Sequence, residues 1–196
     1  MKSNVCKIEN GTKDLEAILK ESEKVAVYNE LTHKQTLQLR LICEEIDGML
    51  PSIIDDFDGD LWIEFENGVC RVNISVRLAE FTAEKKKELV SIAKNKKNAS
   101  ALGFTGKIRS ALENFFLDEE TLKIYAMSSG AFHMTTGYAD YSYHWSLEQY
   151  RNSVNPEAQK EDWDELEKSV LASVADDVIV GVKGKQADII VVKKFA

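Results

Sequence analysis

Side chains able to do chemistry gather in one stretch. Residues 125–150 hold five of the six tyrosines, two of the three histidines, Phe132 and Trp145, and no Lys or Arg. His133, Asp140 and His144 are metal-ligand types, with Asp140 and His144 four residues apart. No helix is expected over 140–144 to fix that spacing, so structural histidine in an aromatic loop is the preferred reading and no metal is expected. Ser128 and Ser129 stand near His133 as a nucleophile and base would, without the surrounding elements that place an acid behind them. Aromatics without cations make a poor nucleic-acid platform, because the phosphate contacts are missing. They suit a protein partner or self-association, where Tyr and Trp are enriched.

Two smaller constellations stand apart from that stretch. Leu102-Gly103-Phe104-Thr105-Gly106-Lys107 sets a small-residue turn before a helix, whose backbone N–H groups at Gly103 and Gly106 suit an anion. A plain interhelical turn is the commoner use of such glycines, and Gly-x-x-Gly-Lys is too short for a P-loop. Glu44 and Glu45 lie on a helix flank, where charge is usually only solvated. Cys6, Cys43 and Cys70 are odd in number and widely spaced, and read as reduced, buried hydrophobes.

These residues sit in a chain of 196, with 33 acids against 25 bases and a net charge of −8. That length fits one domain spanning 1–196 and suffices for a core. The acidity argues against general binding to nucleic acid or anionic membranes. No stretch approaches a membrane span or a signal peptide's apolar core, so a cytoplasmic protein is expected.

The elements that must position these groups follow from periodicity. A strand over 4–8 precedes a turn at Asn10-Gly11 and a helix over about 13–28 with Leu15, Ile18, Leu19 and Val25 on one face. Thr32 and Gln35 form a capping box opening a long helix with Leu37, Leu41, Ile42, Ile46, Met49 and Leu50 inward, which Pro51 should kink or end. Asn67-Gly68 is a type I′ turn pair that sets Phe65 opposite Cys70, Ile63 opposite Val72, Leu61 opposite Ile74, and Glu64 opposite Arg71. One face of that hairpin is apolar and the other wet, so helices are expected on one side of the sheet only. Thr82 opens a further helix, and Ile108, Ala111, Leu112, Phe115 and Phe116 mark another. Residues 125–150 keep neither period and read as a long loop within an insertion over about 98–156. Asn155-Pro156 opens a helix with Trp163, Leu166, Val170 and Val174 on one stripe. A closing hairpin turns at Gly184-Lys185 and stacks Val178, Val180 and Val182 against Val191, Ile189 and Ala187.

This order predicts an α/β (α+β) two-layer sandwich, with helices on one face of a mixed or antiparallel sheet. The helix Leu39-Arg40-Leu41-Ile42-Cys43-Glu44-Glu45-Ile46-Asp47-Gly48-Met49, and the closing segment from Leu171 to Lys193, resemble the GHKL (histidine kinase-like) ATP-binding superfamily, nearest its anti-sigma-factor, serine-kinase branch. The resemblance covers most of 4–94 and 160–195. It implies an ATP and Mg²⁺ site, with Glu45 as the base that activates the attacking water and Gly103 and Gly106 in the lid box. In this family, an Asn four residues beyond the acid binds Mg²⁺; here that position is Met49, a poor ligand for a hard cation. The family's Asp-x-Gly box falls on Val76-Arg77-Leu78-Ala79, and the Gly-rich box before the last hairpin falls on Glu161-Asp162-Trp163-Asp164. The acids Asp55, Asp56, Asp58 and Asp60, and those from Glu157 to Glu167, would face a nucleotide's phosphates. The expectation is a GHKL-like protein without ATPase activity, acting as a regulatory or protein-interaction module. The alternatives are an ATP-binding anti-sigma-type kinase with unconventional ligands and a small-molecule binder using a pocket under residues 125–150.

Overall fold

The computed structural model describes residues 1–9, 15–54, 57–78, 103–115, 132–134, 143–153, 168–183 and 186–195. The expected Asn10-Gly11 turn, the Thr82 helix and the Asn155-Pro156 start lie outside them. So do the catalytic and ligand candidates Ser128, Ser129 and Asp140. Among the described residues the chain is mixed α+β, built on an antiparallel sheet of seven strands ordered β1-β2-β3-β7-β6-β5-β4. The strands are β1 (Cys6–Glu9), β2 (Phe57–Glu66), β3 (Val69–Leu78), β4 (Phe132–Met134), β5 (Tyr143–Ser146), β6 (Asp177–Lys183) and β7 (Gln186–Lys194).

The helices are α1 (Leu15–Tyr28), α2 (His33–Ile53), α3 (Gly103–Phe115), α4 (Leu147–Ser153) and α5 (Val170–Val174). The capping box at Thr32 forms as the sequence predicts. Gln35 N donates to Thr32 Oγ1 at 3.4 Å, and Thr32 N donates to Gln35 Oε1 at 2.8 Å. Pro51 does not stop α2, which runs two residues further. A proline so near the end still costs one i−4 hydrogen bond, and the helix absorbs it.

The buried stripe of α2 is Leu39, Ile42, Cys43, Ile46, Met49, Leu50 and Ile53. Leu37 is 51% exposed, so the apolar face is rotated from the expected one and gains Leu39 and Cys43 in its place.

Both hairpins fold in the expected register. Phe65 faces Cys70, Ile63 faces Val72 and Leu61 faces Ile74. Val178, Val180 and Val182 face Val191, Ile189 and Ala187. Asn67 (φ 51°) and Gly68 (φ 76°) hold the left-handed backbone that a type I′ turn demands. Gly59 is required for a different reason: a Cβ there would lie 2.4 Å from the Ser75 carbonyl oxygen. The helix-side face of these strands joins α1, α2, α3 and Leu147 in one core.

Three further expectations are corrected. Residues 125–150 are not one long loop: β4, β5 and the start of α4 fall within them, and β5 pairs with β6. A strand of three or four residues is too short to leave a period in sequence. Second, the face away from the core is not wet throughout. Asn73, Ser75, Ile179, Val192, His144 and Ser146 lie on it or continue it, and all are buried. Val170 is also displaced from its expected stripe. It is 40% exposed, and Ser169 caps α5 while Leu171 and Ala172 point inward.

Candidate functional site

Glu45 and Met49 stand one turn apart on α2. Glu45 is half-buried on the flank of the apolar stripe, whereas Met49 is 8% exposed and part of the core. The neighbouring Glu44 accepts from Arg40 Nε at 3.0 Å, and Arg40 also reaches Glu23 at 3.3 Å. Val76, near the end of β3, is completely buried.

Gly103 and Gly106 fall inside α3, which begins earlier than its apolar residues suggest. Gly103 has φ +81°, a conformation that glycine alone adopts at little cost. Gly106 is buried and Phe104, in the same turn, is 3% exposed, so this first turn is packed. Arg109 ties α3 to the end of α2 through the Ser52 carbonyl at 3.5 Å. Lys107, the cation of this motif, has its ammonium 5.4 Å from the Tyr150 ring centroid. The structure therefore places Glu45 and the two glycines on adjacent helices, with α3 docked on α2. No group of three or more His, Cys, Asp or Glu side chains among the described residues is arranged to hold a metal.

The aromatic stretch contributes to the core. Trp145 is 3% exposed and packs on Tyr150 with centroids 6.0 Å apart. His144 is 7% exposed on the opposite face of β5, and the register pairs it with His133. Ser146 ends β5 and opens α4. Its hydroxyl donates to Asp177 Oδ1 and Oδ2 at 3.0 and 3.1 Å, while Asp177 Oδ1 also accepts from Glu148 N at 2.9 Å. A carboxylate from β6 thus fixes the start of a helix that follows β5.

One arrangement escapes a strand-by-strand reading of the sequence. A single row crosses the sheet from edge to edge: Lys7, Asp60, Ser75, Asp188, Gly181, His144, His133. Lys7 pairs with Asp60 at 2.6 Å, and the Ser75 hydroxyl donates to Asp188 and accepts from Gln186. Gly181 supplies no side chain between Asp188 and His144. The signal existed in the sequence, as the wet positions of each strand, but it required the order of all seven strands to assemble it.

All three cysteines are buried and none forms a disulfide. Burial raises the Cys70 thiol to about 12 and pushes Cys43 higher still, so at these two positions the thiolate needed for nucleophilic or ligand chemistry is not formed near neutrality. Compared with known proteins, the chain matches no family model, no curated protein and no solved structure.

Proposed function

We propose that this chain is a GHKL-like module without ATPase activity, which regulates or scaffolds through protein contact. The observation that carries the reading is Met49. The position where the family places a Mg²⁺-binding Asn holds a thioether, and that thioether is packed into the core at 8% exposure. Glu45 alone has no metal-bound phosphate to act on, and α3 brings packed apolar groups beside Gly103 and Gly106. Burial of Val76 adds to the argument, since that strand end offers no carboxylate for an adenine amino group. A partner surface in residues 125–150 is supported by the segment's aromatic, cation-free composition. Trp145 and His144 are committed to the sheet, which leaves such a contact to the other aromatics.

The test is thermal denaturation with and without millimolar Mg-ATP. A ligand at a hundred times its Kd adds about 2.7 kcal/mol to stability, and a site of that strength shifts the midpoint by several degrees. The expected result is no shift. A clear rise in midpoint returns the chain to the ATP-binding alternative.

A further inference from the structure

The N-terminal edge of the sheet carries a groove that none of the preceding chemistry uses. Residues 1–3 pair with β2 in one register: Phe65 N donates to the Met1 carbonyl, Lys2 bridges Glu64, and Ser3 N donates to the Ile63 carbonyl. From Cys6, which faces Leu61, the register is shifted by one residue. Asn4 and Val5 together therefore oppose Trp62, which makes a β-bulge in an edge strand. The extra residue turns Asn4 toward α1, where its N–H and its Nδ2 each reach the Glu21 carboxylate at 3.1 Å.

Between the bulge and α1 lies an open cavity of about 350 Å³, walled by Asn4 to Lys7 on one side and by Ala17, Lys20, Glu21 and Lys24 on the other. Val5 is 53% exposed at its mouth. Among the described residues β1 ends the sheet, so the backbone groups of alternate residues, Val5 and Lys7 among them, face away from β2. Glu21 is bound by Asn4 and by Lys24, and the contact with Lys24 holds its carboxyl below the usual value. Lys20 is exposed and forms no ion pair among the described residues. Two lysines, Lys20 and Lys24, thus flank one neutralised acid, in a chain whose net charge is −8.

We infer that this groove receives an extended acidic segment of a partner protein, which adds to β1 as a further strand and seats alternate carboxylates on Lys20 and Lys24. The spacing matches. One helical turn separates the two lysines by about 6 Å, and residues i and i+2 of a strand lie about 6.7 Å apart. Lys24 already touches Glu21, but an ammonium has three donors and its side chain is 49% exposed. A second copy of this chain is the poorer occupant, because pairing β1 with β1 would bring both sets of lysines together. The inference is independent of the nucleotide question, since it uses neither α2 nor α3.

Fluorescence anisotropy of a labelled peptide, Ser-Val-Glu-Val-Glu-Thr-Ser, titrated with the full chain, tests this. Saturable binding is expected, weakened roughly tenfold when both Glu are Gln and roughly fivefold by Lys20→Glu. A peptide N-methylated at alternate backbone nitrogens should lose binding altogether, which separates strand addition from charge attraction alone. Lys20→Gln serves if the reversal disturbs folding, as judged by circular dichroism. No binding at millimolar concentration overturns the inference, and so does equal binding of the Gln peptide or indifference to Lys20. A concentration-dependent dimer that excludes the peptide, seen by sedimentation, overturns it in favour of a second copy.

Discussion

Both hairpins pair in the register that their sequences lead one to expect, yet they treat their second faces differently. On β2–β3 that face is the more open one: the side chains of Asp58, Arg77 and Glu64 are 62%, 78% and 39% exposed, although Asn73 and Ser75 beside β7 are buried. On β6–β7 it is closed at Ile179 (1%) and Val192 (5%). The difference is written in the strands. β2 alternates Leu, Trp, Ile, Glu, Phe, Glu, as a half-buried strand does, whereas β6 runs Val178-Ile179-Val180 without a break. A continuous apolar run marks a strand covered on both faces. A hairpin's register thus says which residues pair, and the composition of its second face says whether the sheet ends there.

The comparison breaks most sharply at Ile179. Truncation to Ala should cost about 2–4 kcal/mol, the range for a fully buried Ile, while Arg71→Ala on the matching face of β3 should cost under about 0.5 kcal/mol. Urea denaturation of the two variants measures both. If Ile179→Ala costs no more than Arg71→Ala, the two faces do not differ. A smaller effect is expected at the seam between the hairpins, where Ser75 on β3 meets Asp188 and Gln186 on β7. Ser75→Ala leaves that carboxylate without a hydroxyl donor beside it, at a cost of about 1–2 kcal/mol. Ser75→Thr should recover part of the loss if the hydroxyl, and not the small volume, is what the seam requires.

Much of this frame was legible in the sequence, because it rests on local rules. Asn67-Gly68 fixed one hairpin, Thr32 and Gln35 fixed a helix start, and strand alternation separated core from surface on β2 and β3. The failures share a cause in tertiary context. Leu37 and Leu39 are equally apolar, and only the direction in which α1 and the sheet pack against α2 decides which is buried. β4 and β5 are too short to show a period; β5 is a strand by pairing with the edge of β6, and β4 by pairing with β5. Val170 fell on the stripe of a helix counted from Asn155, but Ser169 starts a new helix and resets the count. Site residues were harder still. Glu45 lies on the helix flank as its spacing suggested, and the burial of Met49 was implicit in the apolar period of α2. The polar row from Lys7 to His133 was not readable, since its members come from seven strands in an order that sequence does not show.

The smallest expected effect lies on the solvated face and concerns pH. Burial by itself would raise the Glu64 carboxyl, but the Trp62 indole N–H at 2.9 Å and the Lys2 ammonium at 3.1 Å outweigh it, with further help from Arg71 across the hairpin. The net result is a carboxyl held below its ordinary value of 4.5. A group whose folded pKa lies below its unfolded one stabilises the fold above the unfolded value, and the contribution is lost as pH falls through the folded value. Thermal midpoints measured from pH 6 down to pH 3 should therefore fall less steeply in Glu64→Gln than in the parent, and the two curves should converge at the acid end. The effect is small because the pair is more than one-third exposed and water screens it. It should shrink further in 0.5 M salt, whereas the cost of Ile179→Ala, which involves no charge, should not. If salt leaves the Glu64→Gln difference unchanged, then Glu64 acts through its bond to Trp62 and not through Lys2, and this face is less open than its neighbour's closure makes it look.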